Sequence, residues 1–89
     1  MTSIPELKAK AMALEPIVRI GKAGLTESVL NEIKKQLEQK GLIKVKALKS
    51  FAKGRDKKSV AEEIAKKTGS ILVHRVGFVV VLAKKSKTI

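Results

Sequence analysis

Apolar and polar positions along this chain alternate in two rhythms, one helical and one extended. Ile4, Leu7, Ala11 and Leu14 recur at helical spacing and predict a first helix with a single apolar stripe. Pro5 suits its opening turn, where a backbone N–H is not needed, and Pro16 marks its end, because the residue before a proline avoids the helical region. Ile17-Val18-Arg19-Ile20 is short and β-branched and predicts a strand. The loop Gly21-Lys22-Ala23-Gly24 follows. Thr26 is a good helix N-cap, and Leu25 is placed to staple onto Leu30. Val29, Leu30, Ile33 and Leu37 then form the apolar face of a second helix, and Gly41 stands where a left-handed C-cap is expected. Glu27 lies early in that helix and Lys34, Lys35 and Lys40 lie late, as the macrodipole prefers.

From Leu42 to Leu48 the pattern changes to strict alternation. Ile43, Val45 and Ala47 face one way, and Lys44 and Lys46 face the other, which predicts a strand with one buried and one basic face. Lys49 to Arg55 reads as a loop broken by Ser50 and Gly54. Asp56 can cap a third helix, whose stripe is Val60, Ala61, Ile64 and Ala65, with Lys66, Lys67 and Gly69 closing it. Ile71 to Val76 and Phe78 to Ala83 read as two strands of a hairpin turning at Gly77. The second of them is apolar on both faces, so helices are expected on both faces of the sheet. The order is α-β-α-β-α-β-β, an α/β single domain over residues 1–89 with its core at about 4–84 and a basic tail at 85–89. The first helix can cover one sheet face and the two crossover helices the other.

Composition narrows the chemistry. The 89 residues suffice for one small domain, and 44% hydrophobic residues allow a core. Cysteine is absent, which excludes disulfides and cysteine-type zinc sites and fits a cytoplasmic setting. Twenty Lys+Arg against 8 Asp+Glu give a net charge of +12, which favours polyanionic partners: RNA, DNA or anionic membrane. No apolar run approaches the length of a membrane span, and residues 1–5 lack the pattern of a signal peptide, so no membrane association is expected. Aromatic residues are only 2%, too few for a broad base-stacking platform.

Candidate catalytic groups are sparse. His74 is the lone histidine and falls in a predicted strand, the setting of a packing residue. Glu62 and Glu63 are adjacent on a helix and point apart, as solvated charges do. No metal-ligand spacing is visible, and no enzyme activity, cofactor or metal is expected. Gly21 to Gly24 matches neither G-x-G-x-x-G nor a Walker A loop. What it offers is a close backbone approach, exposed amides and Lys22 beside a helix start, which together suit phosphate. The second basic feature is the region from Lys40 to Lys58, where Lys40, Lys44, Lys46, Lys49, Lys53, Arg55, Lys57 and Lys58 face one acid, Asp56. Phe51 lies within it and has two readings: it stacks on a base, or it folds back onto the core. No helix-turn-helix, zinc finger or basic zipper appears, which favours RNA over DNA. A G-x-x-G loop also clamps backbone in KH domains, but there it joins two helices, and here a strand precedes it.

Several stretches together resemble the CRM domain family (chloroplast RNA splicing and ribosome maturation) in its stand-alone prokaryotic, YhbY-like form. They are the run from Leu14-Glu15-Pro16 through Gly21-Lys22-Ala23-Gly24-Leu25-Thr26 to Val29, then Leu42-Ile43-Lys44-Val45-Lys46, Glu63-Ile64-Ala65, Thr68-Gly69, and Val76-Gly77-Phe78-Val79-Val80-Val81-Leu82. The resemblance implies a four-stranded mixed sheet with helices on both faces, similar to the C-terminal domain of translation initiation factor 3. It implies RNA as partner, in particular rRNA in precursors of the large ribosomal subunit, contacted through the Gly21–Gly24 loop. The segment from Lys49 to Arg55 departs from the family by being more basic and by carrying Phe51.

The expected interface thus comprises Arg19, Gly21, Lys22, Ala23, Gly24, Lys44, Lys46, Lys49, Phe51, Lys53, Arg55, Lys57 and Lys58 in a monomer. The amides of Lys22, Ala23, Gly24 and Leu25 are expected to grip phosphates. The alternatives are a general DNA-binding protein and a protein-interaction module that docks on ribosomes.

Overall fold

The computed structural model describes residues 15–85; the helix predicted over 4–14 and the tail from 86 onward lie outside them. The described elements are β1 (Val18–Ile20), α1 (Glu27–Lys40), β2 (Leu42–Ala47), α2 (Lys49–Ala52), α3 (Lys57–Thr68), β3 (Ser70–Val76) and β4 (Val79–Lys84). The four strands form one mixed sheet in the order β1-β2-β4-β3. β1 runs parallel to β2, with Val18 opposite Val45 and Ile20 opposite Ala47. β4 lies antiparallel to both β2 and β3.

The alternation read from 42–48 becomes the two faces of this sheet. Ile43, Val45 and Ala47 are buried with Val18, Ile20, Val80 and Leu82 on one face, beneath Ile33 and Leu37 of α1 and Val60, Ala61, Ile64 and Ala65 of α3. Burying aliphatic side chains of this size contributes roughly 1.5–3 kcal/mol each. Both crossover helices therefore cover the same face, as expected. On the opposite face Val73, Val81 and Ala83 form a second, smaller buried cluster with Leu42 packed against it. A bulge between Leu72 and His74 shifts the β3 register beside it.

Local chemistry sets the helix limits. Thr26 Oγ1 accepts from the Val29 N–H at 3.2 Å, and Asp56 Oδ2 accepts from the Ser59 N–H at 2.9 Å, so both predicted N-caps form. Gly41 and Gly69 close α1 and α3 in the left-handed conformation.

Two expectations shift. Ile17 lies outside β1, although its N–H still donates to the Lys44 carbonyl at 3.0 Å. Residues 49–52, expected as loop, form the single turn α2. Ala52 N–H donates to Leu48 O at 2.8 Å and Lys53 N–H to Lys49 O at 3.0 Å. Phe51 and Ala52 are buried, so tertiary packing stabilises a helix too short to form alone or to display a period. β3 and β4 join through the two-residue turn Gly77-Phe78. Gly77 has φ 59° at the first central position, where a type II′ hairpin requires a positive φ.

Candidate nucleic-acid interface

Three segments meet at one end of the sheet. The Gly21–Gly24 loop leaves the end of β1, α2 follows the end of the adjacent parallel β2, and the Gly77-Phe78 turn abuts the same edge. Leu48 N–H donates to Ile20 O and Ala47 N–H to Phe78 O, both at 2.9 Å, which ties the three together through backbone.

The loop is a closed turn, with Gly24 N–H donating to Gly21 O at 2.9 Å. This corrects the expectation that the Gly24 amide is available to a phosphate: it is already satisfied within the turn. Lys22 and Ala23 project from the tip and are exposed. Gly24 has φ 75°, and a Cβ built there would lie 3.4 Å from Phe51 Cε1. Glycine at 24 thus serves two needs, a left-handed backbone and close packing on an aromatic ring.

Phe51 is accordingly the prop under the loop. It is 6% exposed, and the Arg55 guanidinium carbon lies 4.3 Å from its ring centroid while Arg55 Nε donates to Phe51 O at 2.8 Å. Of the two readings of Phe51 the structure selects the core, which corrects its place among the RNA-contacting residues. With Gly24 and Arg55 against the ring and the residue buried, no face is open to a base.

The remaining candidates fall into two groups. Lys22, Lys49, Lys53, Arg55, Lys57 and Lys58 are all exposed; Lys22 comes from the loop, Lys49 and Lys53 from α2 and its end, and Arg55, Lys57 and Lys58 from the following turn and the start of α3. Arg19, Lys44 and Lys46 lie on the sheet face opposite the helices. There Arg19 pairs with Lys46, both exposed, while Lys44 is half-buried beside Val81. Like charges directly opposite on neighbouring strands are destabilising, and a bound polyanion relieves that repulsion. The two ion pairs among the described residues, Lys67–Glu63 and Lys84–Glu38, involve none of these cations. Asp56 is the acid beside the α2–α3 cations. The Ser59 backbone N–H, above all, holds its carboxyl below the ordinary value of 3.8, with a smaller contribution from the charge of Arg75.

Sequence reasoning did not anticipate a groove beside α2. It lies beyond α2 from the loop, is open, has a volume of about 510 Å³, and is lined by Ala47, Lys49, Ala52, Lys53, Arg55, Lys57 and Phe78. Phe78 is half-buried at the hairpin turn, with Lys57 Nζ 5.9 Å from its ring centroid. The signal available was the second aromatic of the chain, placed directly after a turn glycine. Among the described residues, no group of three His, Cys, Asp or Glu is arranged to hold a metal ion, and no helix is long and apolar enough to cross a membrane.

Residues 2–84 match the CRS1/YhbY (CRM) domain. The chain belongs to this family. It is 45% identical over 76 residues to the Methanocaldococcus jannaschii protein named "Probable RNA-binding protein MJ0652", a match covering 85% of this chain and 56% of that one. This CRM chain thus spans little more than half of that relative. It is 40% identical to "Probable RNA-binding protein YqeI" of Bacillus subtilis, over 91% of this chain and 82% of the other. The fold is similar to the solution structure of SAV1595 from Staphylococcus aureus, itself a proposed RNA-binding protein. The TM-score is 0.77 at 34% identity, covering 99% of this chain and 93% of that one. The four-stranded mixed sheet that the CRM resemblance implied is present, and the Gly21–Gly24 loop follows the end of its β1 strand.

Proposed function

We propose that this CRM domain is a non-enzymatic RNA-binding module that contacts rRNA in large-subunit precursors during ribosome assembly. The observation that carries the reading is the convergence of Lys22, Lys49, Lys53, Arg55, Lys57 and Lys58 on one sheet end, around a rigid loop with an exposed tip. The RNA-binding names of its relatives supply the polymer, and the family's association with ribosome maturation supplies the target.

The mechanism is electrostatic. Lys22 and the amides at the loop tip meet phosphate first, and the α2–α3 cations extend the track. Arg19 and Lys46 continue it around the sheet edge. Each phosphate neutralised contributes about −0.7 to the log–log salt slope on single strands. Specificity then comes mainly from RNA shape, since aromatic side chains are few.

Replacing Lys22 and Ala23 together by Asp tests the loop. RNA affinity should fall while thermal unfolding stays cooperative at an unchanged temperature. Unaltered affinity for rRNA fragments contradicts the assignment. Competition between duplex DNA and structured RNA at fixed salt separates this reading from general DNA binding. Survival of ribosome co-sedimentation after RNase treatment would instead point to protein docking.

A further inference from the structure

The two phenylalanines of the chain both carry a cation, but in different ways. Arg55 is fixed over Phe51 by its hydrogen bond to the Phe51 carbonyl, and the ring beneath is buried. Lys57 stands farther from Phe78, at 5.9 Å from the centroid, on a long exposed side chain. Phe78 is only half-buried and lines a groove whose floor also includes the small apolar residues Ala47 and Ala52. The volume, about 510 Å³, falls in the range of small-ligand sites.

The rim is cationic all round. Lys49 and Lys53 come from α2 and its end, Arg55 from the following turn, and Lys57 from the first turn of α3. A lysine in the first turn of a helix opposes the macrodipole, as does its neighbour Lys58. Both positive sources favour an anion at that rim. Asp56 is the counter-charge there, and its carboxylate is engaged by the Ser59 N–H. An apolar floor bearing one aromatic ring, with cations at its rim, matches the two surfaces of a nucleotide: a planar base and its phosphates.

We propose that the groove between α2, the start of α3 and the β3–β4 turn receives one unpaired base of an RNA strand, stacked on Phe78. Lys49, Lys53, Arg55 and Lys57 hold the flanking phosphates. The inference rests on the RNA-binding reading and adds to it a site that recognises an unpaired nucleotide. Lys57 covers the ring only loosely, so it exchanges the Phe78 face for a phosphate when the base enters. α2 lies between this groove and the Gly21–Gly24 loop, touching the loop through Phe51 and the groove through Ala52. One strand can therefore engage both.

The test compares two RNAs of one stem sequence, a hairpin with an unpaired loop and a blunt duplex, with wild-type protein, Phe78→Leu and the Lys22→Asp/Ala23→Asp variant. Leucine keeps the apolar packing and removes the aromatic plane. Phe78→Leu should weaken hairpin binding roughly five- to tenfold, toward the duplex value, with the salt slope unchanged. The loop variant should weaken both RNAs. In wild-type protein the Ala47 and Ala52 methyl resonances should show ring-current shifts with the hairpin and none with the duplex. Wild-type hairpin affinity in Phe78→Leu, or equal methyl shifts with both RNAs, overturns the groove proposal and leaves the loop standing. If wild-type protein binds neither RNA more tightly than polyphosphate of equal charge, the RNA-binding reading falls and the groove falls with it.

Discussion

Lys67 and Lys84 each reach a carboxylate, Glu63 at 3.1 Å and Glu38 at 3.0 Å, whereas Lys22, Lys49, Lys53 and Lys57 reach none among the described residues. The first pair belongs to the region where the helices cover the sheet, and the second set to the end where the loop, α2 and the hairpin turn meet. The helical region resembles an ordinary solvated surface with mixed signs, one pair at i,i+4 spacing and the other joining β4 to α1. The strand end is predominantly positive, its cations free of ion pairs among the described residues, on a backbone fixed by cross-segment hydrogen bonds. A total of +12 is therefore less informative than its distribution. Charge that is locally neutralised attracts polyanions weakly, while clustered charge on a rigid support does not have to be gathered upon binding.

The contrast between the two regions is tested most severely at Phe51. If this ring supports the loop, Phe51→Ala should cost about 3–5 kcal/mol, a large part of the stability of so small a domain. Thermal unfolding should drop steeply or be lost, and a variant of normal stability would contradict the core placement. Gly24→Ala comes next. Its left-handed φ of 75° and the nearby Phe51 ring penalise a Cβ, and a residue so placed costs on the order of 1–3 kcal/mol. Denaturant midpoints should fall, and RNA affinity should fall with the distorted turn. On the helices, Lys67→Ala removes an exposed i,i+4 pair and should change stability by less than ~0.5 kcal/mol, with RNA affinity unaltered. A marked loss of binding there would blur the distinction between the regions.

The smallest effect concerns acid. Asp56 has its carboxyl lowered in the folded protein, so its contribution is fully present above the unfolded-state value and is lost as pH falls through the lower folded value. That window lies in acid below about 4. Asp56→Asn retains a capping side chain but cannot titrate. Melting temperatures of wild type and Asp56→Asn, followed downward in pH, should converge through this window. Parallel curves would show that Asp56 ionisation contributes nothing to stability.

What the sequence disclosed, it disclosed through local chemistry. Thr26 and Asp56 cap because a side-chain oxygen three residues before an amide can reach it in any context. The alternation of Ile43, Lys44, Val45, Lys46 and Ala47 is a direct image of a pleated strand. α2 escaped because four residues are too few to show a helical period. Phe51 was undecidable because its burial depends on Gly24, 27 positions earlier in the chain and adjacent only after β1 and β2 pair. The satisfied amide of Gly24 escaped for a local reason: G-x-x-G spacing does not state whether the turn closes on itself. The groove at Phe78 needs three separate segments and leaves no signature in any one of them.

On the proposed reading, location rather than total charge is what makes the strand end the polyanion site. Two variants of equal net charge test this: Lys22→Glu with Lys53→Glu at the strand end, and Lys34→Glu with Lys35→Glu on the exposed side of α1. The measurement is affinity for one rRNA fragment across a salt series. The first variant should lose most of its affinity and show a shallower salt slope, by about 0.7 for each phosphate no longer neutralised, while the second stays near wild type. Equal weakening in both variants would refute the role of location.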